Sequence, residues 1–138
     1  RGVQIRLLLQ GQPDYRFAAL AAQVLYGELL GQGIAIHEYT PAFLHAKVAV
    51  IDGQWATVGS SNIDPFSLLL AREANVVVSD EAFAAELRAS LETAVVGGAR
   101  ELKREDWQRK PWLHRLASWT AYGLVRLMIG IAGYGGKH

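Results

Sequence analysis

The sequence contains no cysteine, which excludes disulfide bridges and thiolate metal ligands. Its four histidines are scattered without the paired spacing of a metal site, so we expect neither a metal nor another cofactor. The formal net charge is only +1 and gives no indication of nucleic-acid binding. The 138 residues suit one folded domain. Because the chain begins with Arg1 and shows no signal-peptide pattern, we expect it to be the end of a longer polypeptide.

The small net charge hides an uneven distribution along the chain. Residues 1–99 carry 6 Lys and Arg against 10 Asp and Glu, whereas residues 100–138 carry 8 against 3. The balances are therefore −4 and +5, and a Gly-Gly pair followed by a charged stretch separates the two parts. We predict a boundary near residue 99, with a catalytic unit before it. The basic part is also rich in tryptophan, and this combination suits an anionic membrane surface.

Hydrophobic periodicity predicts strands and helices that alternate along the chain. Strands are expected at residues 3–9, 34–39, 45–52, 55–60 and 73–79. Helices are expected at 14–30, capped by Asp14, and from an Asp80 cap to about residue 96. A two-residue turn, Gly53-Gln54, is expected between the third and fourth strands. The alternation indicates an α/β fold with a mixed sheet flanked by helices.

One segment, HAKVAVIDGQWATVGSSN, combines apolar strands with a set of reactive and polar side chains. His45 and Lys47 are two residues apart, so they share one face of a strand, whereas Asp52 falls on the opposite face at its end. Beyond the hairpin, Ser60 and Asn62 supply neutral hydrogen-bond donors. A phosphodiester reaction needs these groups. The imidazole attacks phosphorus or transfers a proton, while the cation and the donors hold the non-bridging oxygens.

The pattern His45-x-Lys47-x4-Asp52-x6-Gly59-Ser60-x-Asn62 resembles the HKD motif of the phospholipase D superfamily. Glu73 falls where that family usually carries a carboxylate that orients a catalytic histidine. The run GSSNIDPFSLLLAREANVVV and the closing residues are similar to the carboxy-terminal half of bacterial cardiolipin synthases, of the type without amino-terminal transmembrane helices. Two positions depart from that pattern, because many relatives have Arg at the position of Phe66 and Asn at that of Ala71.

The resemblance implies the phospholipase D sandwich, in which two HKD motifs from pseudo-equivalent halves form one site. One histidine forms a phosphohistidine, and the other protonates the leaving alcohol and later deprotonates the incoming one. This chain supplies one motif, so the resemblance implies a partner, either the amino-terminal HKD half of the same enzyme or a second copy. His45 would more often be the acid and base, and Glu73 would hold the histidine of the other half.

The implied reaction is phosphatidyl transfer between phospholipids of the phosphatidylglycerol type, with no nucleic acid involved. Lys47, Ser60 and Asn62 would bind the substrate. The implied location is peripheral, on the cytoplasmic side of a bacterial cell membrane. A phospholipase D-type phosphodiesterase or nuclease is the alternative, which the acidic balance of residues 1–99 disfavours. A noncatalytic membrane-binding half is a third interpretation.

Structural interpretations of single residues also remain. His45 and Lys47 can be satisfied by neighbouring backbone, Asp52 can be structural rather than catalytic, and Glu73 can be a charge at a strand edge. Four apolar residues are expected either to pack against their neighbours or, for some of them, to line a path for a headgroup or an acyl chain: Tyr39, Phe43, Leu44 and Phe66.

The closing segment WLHRLASWTAYGLVRLMIG predicts an amphipathic helix. At about 100° per residue, Arg115, Ser118 and Arg126 fall on one side and the leucines on the other, with Trp112 and Trp119 along one border. Arg126 interrupts the apolar run near its middle, so we expect a helix in the membrane interface rather than a spanning one. The alternative is that the apolar side docks onto the preceding domain.

Overall fold

The computed structural model describes residues 2–12, 16–62 and 72–135. The strands in these ranges are β1 (Arg6–Gln10), β2 (Ala35–Tyr39), β3 (Val48–Ile51), β4 (Trp55–Gly59), β5 (Asn75–Val78) and β6 (Ala99–Glu101). The helices are α1 (Arg16–Ala22), α2 (Val24–Gly31), α3 (Glu81–Gly98), α4 (Arg104–Gln108) and α5 (Trp112–Gly135). Strands and helices alternate, so the predicted α/β class is confirmed.

The described strands form two sheets of three strands each. In the first sheet, β2 lies in the middle and pairs in parallel with β1 and antiparallel with β6. In the second sheet, β4 lies in the middle and pairs antiparallel with β3 and β5. The predicted mixed pairing is therefore found in the first sheet, whereas the HKD-like segment builds a separate antiparallel sheet.

The turn between β3 and β4 is longer than the two-residue turn that the sequence predicts. Ile51 pairs with Trp55, so residues 52–54 form the loop. Asp52 and Gly53 both have a positive φ, 52° and 67°. Gly enters this left-handed region freely, and Asp enters it more readily than most residues. The pair Asp52-Gly53, rather than Gly53-Gln54, therefore makes the turn.

Helix and strand boundaries differ from the predicted ones at several places. The helix predicted over 14–30 is divided at Gln23 into α1 and α2, and its predicted cap, Asp14, lies outside the described residues. Asp80 caps α3 as predicted, because its side chain accepts a hydrogen bond from the N–H of Phe83 at 2.7 Å. β1 begins at Arg6 rather than at residue 3. The departures at Phe66 and Ala71 also fall outside the described residues.

Residues 99–135 pack against the earlier part of the chain. β6 is hydrogen-bonded to β2, and the N–H of the next residue, Leu102, donates to the carbonyl of Ile36 at 2.8 Å. α5 packs along α1, where Ala21, Ala121 and Val125 form a buried cluster. The boundary predicted near residue 99 thus coincides with a strand of the first sheet, and the division into 1–99 and 100–138 stays a prediction.

α5 docks through a narrow face of small residues, which we call the docking face. Ser118, Ala121 and Val125 are at most 8% exposed, and their spacing of three and four places them on one side of the helix. The Ser118 hydroxyl is satisfied there, because it donates to the carbonyl of His114 at 3.0 Å. In the described part of the chain, no helix has the length and apolarity to cross a membrane.

The large apolar residues of α5 lie on the side opposite the docking face. We call this exposed set the leucine face, and it consists of Trp112, Leu113, Leu116, Trp119, Leu124, Leu127, Met128 and Ile131. These side chains are 46–70% exposed. The apolar side of α5, which the sequence analysis considered for docking onto the preceding domain, is therefore not the side that contacts α1. A docked helix and an available apolar surface occur together.

Replacing Ala121 with Leu is expected to lower the free energy of unfolding by about 1–3 kcal/mol, because the larger side chain overpacks the contact between α5 and α1. Ala117→Leu is the matched control, since Ala117 is exposed on the same helix and Ala and Leu have similar helix propensities. Chemical denaturation of both variants measures the difference. Equal stability of the two would contradict the docking of α5 through this face.

Candidate active site

His45 and Lys47 lie in the segment just before β3, and their side chains touch. Lys47 Nζ lies 2.8 Å from His45 Nε2, as expected of residues that share a face. An ammonium group can only donate, so Nε2 accepts, and a neutral ring then carries its proton on Nδ1. His45 is exposed and Lys47 half-buried. The pair thus exposes an imidazole to solvent, with the Lys47 ammonium in contact with its Nε2.

Backbone hydrogen bonds bring the other predicted residues to the same end of the second sheet. The N–H of Gly59 donates to the carbonyl of Lys47 at 3.0 Å, and the N–H of Ser60 donates to the carbonyl of Ala74 at 3.0 Å. The start of β3, the end of β4 and the start of β5 therefore lie side by side. Adjacent strands are about 4.8 Å apart, so this end of the sheet spans about 10 Å. Asn62 and Glu73 adjoin it in sequence.

Asp52 lies at the opposite end of β3. It is exposed in the turn and lies five positions after Lys47, which corresponds to about 17 Å along a strand. The structure therefore places His45, Lys47 and Ser60 at one end of the second sheet and Asp52 at the other. This placement favours a structural role for Asp52 in the left-handed turn. In the described ranges, no group of three or more His, Asp and Glu side chains could hold a metal ion.

Ser60 joins β4 to the residue that follows Glu73. Its Oγ accepts a hydrogen bond from the N–H of Ala74 at 3.1 Å and lies 3.4 Å from the carbonyl oxygen of Ala74. The hydroxyl is therefore already engaged with the backbone and holds the half-buried Glu73 beside the end of β4. Substrate binding by Ser60 would have to compete with these contacts.

Asn75 is a site residue that the sequence reasoning missed. Its Nδ2 donates to Ser61 Oγ at 2.6 Å, and its Oδ1 accepts from the N–H of Ser61 at 3.4 Å. Both bonds order the segment between Ser60 and Asn62. Asn is disfavoured in strands, so an Asn directly before three valines was the sequence signal that could have identified Asn75 as a functional or structural position.

Gly59 is required by the close approach of Asn75. The two residues face each other across the β4–β5 pair. A Cβ at Gly59 would overlap the Asn75 carboxamide and would lie 2.5 Å from the carbonyl oxygen of Ala74. Only a residue without a side chain leaves room for the carboxamide that holds Ser61.

Phe43 stacks on the imidazole of His45. The ring centroids are 5.6 Å apart, the planes differ by 18°, and Phe43 is 54% exposed. The loop that carries both rings is anchored at Leu44, the residue between them, because the N–H of Leu44 donates to Gln10 Oε1 at 2.9 Å. An exposed aromatic ring against the reactive imidazole favours the interpretation that Phe43 lines the approach of a substrate.

In the described part of the chain, the site opens onto an exposed apolar face of the second sheet. Side chains alternate along β3, so Lys47, Ala49 and Ile51 lie on one face. Thr57 pairs with both Ala49 and Val77, which extends this face across the sheet. Ile51 is 40% exposed and Val77 is 64% exposed. A molecule that reaches His45 therefore meets apolar surface beside the cation.

Gly59→Ala is expected to lower the free energy of unfolding by about 2 kcal/mol, because the added methyl group displaces the Asn75 side chain. In an Asn75→Ala background the same change should cost less, since part of the overlap is gone. Gly31→Ala is the control, because a Cβ there meets no atom within 4 Å. Thermal and chemical denaturation of the set measure the coupling. Equal costs in both backgrounds would contradict the assigned contact.

Comparison with known proteins finds similarity over the part of the chain that contains the HKD-like residues. The family model described as "Cardiolipin synthase, PLD-like domain" matches residues 1–95. Cardiolipin synthase B of Salmonella typhi is 36% identical over 134 residues, which is 97% of this chain and 32% of that protein. Cardiolipin synthase B of Escherichia coli K12 is 37% identical with the same coverage. Cardiolipin synthase A of Pseudomonas aeruginosa LESB58 is 42% identical over 92 residues, 67% of this chain and 19% of that protein.

No solved structure matches the chain. The chain spans about a third of the length of the cardiolipin synthases B that it matches. The family model covers all the HKD-like residues, strands β1 to β5 and most of α3. Spacing, fold class and sequence similarity therefore agree, and the chain belongs to the PLD-like domain family of the cardiolipin synthases.

Proposed function

We propose that this chain is the carboxy-terminal catalytic half of a cardiolipin synthase, which transfers a phosphatidyl group from one phospholipid to the hydroxyl of a phosphatidylglycerol-type acceptor. The observation that carries the proposal is the contact between Lys47 Nζ and His45 Nε2 inside a motif with HKD spacing. In this contact an ammonium and an imidazole lie close enough to engage the same phosphate group. The family membership supplies the phospholipid substrate class.

The contact between Lys47 and His45 explains how a phosphodiester would engage the site. A non-bridging oxygen of the phosphate is a stronger partner for the ammonium than a neutral ring nitrogen is. Lys47 would therefore turn to the phosphate and release His45 Nε2. The freed Nε2 takes up a proton from solvent, and the resulting imidazolium donates that proton to the leaving glycerol oxygen. The neutral ring that remains later removes a proton from the acceptor hydroxyl. Lys47 would stabilise the charge that develops on the phosphate oxygens in both steps.

A second histidine is needed for the covalent step, because His45 cannot be phosphorylated and donate a proton at the same time. We place that histidine on the amino-terminal HKD half of the same enzyme, or on a second copy of this chain. Two observations support a partner half. The related synthases are about three times as long, and the sheet face beside Lys47 is uncovered and apolar. In this arrangement Glu73 would orient the partner's histidine.

The phospholipid substrates place the proposed reaction at a membrane. We propose peripheral attachment to the anionic, cytoplasmic side of the bacterial cell membrane, which the balance of +5 in residues 100–138 supports. The nuclease alternative has less support, because residues 1–99 have a balance of −4 and a domain that binds a nucleic-acid backbone is expected to be basic.

His45→Asn, Lys47→Gln and Asn62→Ala are each expected to lower turnover at least about a hundredfold, with the fold kept. Asp52→Ala should instead act mainly by lowering stability, by about 1 kcal/mol, since Ala tolerates a positive φ poorly. Phosphatidyl transfer in mixed vesicles, measured with the amino-terminal half supplied, and the thermal midpoints of the four variants test this. A stable but inactive Asp52→Ala protein would show that Asp52 acts in the reaction.

The chain alone is expected to show no phosphatidyl transfer while it is monomeric, because the second histidine is missing. Supplying the amino-terminal half should restore transfer, and a dimer with two facing His45 residues should show some activity. Transfer is measured alongside the molecular mass from light scattering. Robust transfer by a demonstrated monomer would contradict the two-histidine mechanism, and hydrolysis of DNA but not of phospholipid would favour a nuclease.

A further inference from the structure

The leucine face of α5 is an extended apolar surface without a partner in the described part of the chain. It runs along a helix of 24 residues on the side away from the docking face, with Met128 at its edge next to Ala121. Leu113, Leu116 and Leu127 are 55–60% exposed, and Ile131 is 66% exposed. Surfaces of this kind mark sites of interaction with a protein or a membrane.

We propose that the leucine face binds an anionic lipid bilayer while α5 stays docked on α1, so that the helix lies in the headgroup region as part of the folded domain. The proposal deepens the proposed function and rests on it for the source of the bilayer, which would also hold the substrates. It differs from a free amphipathic tail, because the surface exists before the membrane is met.

The order of side chains around α5 matches the layers of a membrane interface. Arg115 and Arg126 are exposed and lie between the docking face and the leucine face, at about 300° and 320° if Trp112 is set to 0°. Trp119 follows at about 340°, and the leucines follow from about 40°. Arginine, tryptophan and leucine thus succeed one another from the polar to the apolar side, as expected of a helix in the headgroup region.

Contacts within the helix hold this border in place. The Trp119 ring meets the Tyr122 ring edge-on at 6.0 Å, and Tyr122 packs against the buried cluster beneath the docking face. The Arg126 guanidinium lies 6.0 Å from the centre of the same Tyr122 ring. Trp119 and Arg126 therefore share one support that belongs to the folded domain.

Charge favours a lipid surface over a second copy of this chain. α5 contains two arginines and no acidic residue, and residues 100–138 as a whole have a balance of +5. A second copy of this chain would bring the same positive charge to the contact. An anionic bilayer instead supplies both an apolar layer for the leucines and phosphates for the arginines.

Binding of the full chain to vesicles tests the proposal. We expect co-sedimentation with vesicles of phosphatidylcholine and phosphatidylserine, and weaker binding to phosphatidylcholine alone. Leu116→Gln with Leu127→Gln should weaken binding about a hundredfold, since two exposed leucines no longer enter the bilayer. Arg115→Gln with Arg126→Gln should weaken vesicle binding about tenfold and abolish most of the preference for anionic vesicles.

Two controls test whether vesicle binding depends on the leucine face itself rather than on exposed apolar residues in general or on the active site. Val3→Gln with Val96→Gln removes two apolar side chains that are 75% and 86% exposed elsewhere, and binding should be unchanged. His45→Asn should bind vesicles normally although it abolishes transfer when the amino-terminal half is supplied, so a failure of the proposed reaction leaves this test intact. A truncation of α5 is unsuitable, because it would uncover Ala21 on α1.

Several outcomes would overturn the proposal. Unchanged vesicle binding by the leucine variant would show that another surface meets the lipid. A dimer that dissociates on Leu116→Gln with Leu127→Gln, in the absence of vesicles, would assign the face to a second copy. Loss of vesicle binding when the amino-terminal half is added would assign it to the contact between the halves.

Discussion

The ladder that joins the ends of β3, β4 and β5 determines where the reactive side chains lie. Gly59 is its central residue, because its N–H bonds to Lys47 while its missing side chain admits Asn75. The next residue, Ser60, bonds to Ala74 and so fixes the position of Glu73. The segment with His45 and Lys47 and the segment with Glu73 thereby lie at one end of the second sheet, although 28 positions separate His45 from Glu73 in the chain.

The reactive pair could be predicted because its geometry is local. Residues two apart in an extended chain share a face whatever surrounds them, and the contact between His45 and Lys47 follows from this rule. The part played by Asn75 could not be predicted in the same way. Its bonds to Ser61 depend on the register between β4 and β5, and register is set by long-range pairing rather than by local pattern.

The turn and the tail show a second limit of sequence reasoning. The Asp-Gly and Gly-Gln pairs were both acceptable turn residues, and only the pairing of Ile51 with Trp55 decides between them. For α5, periodicity identified an apolar side, and buried helices usually dock through such a side. The helix instead docks through Ser118, Ala121 and Val125, because small residues let α5 and α1 approach closely. Hydrophobicity alone does not reveal which side of a helix fits a neighbour.

The anchor between Gln10 and Leu44 has a consequence for how the site responds to movement. Gln10 ends β1 in the first sheet, whereas Leu44 belongs to the loop that leads into the second. His45 is therefore tethered to both sheets at once, through Leu44 on one side and β3 on the other. A small rotation of one sheet against the other would tilt the imidazole, so rigidity between the sheets becomes a requirement for alignment of the reacting nitrogen.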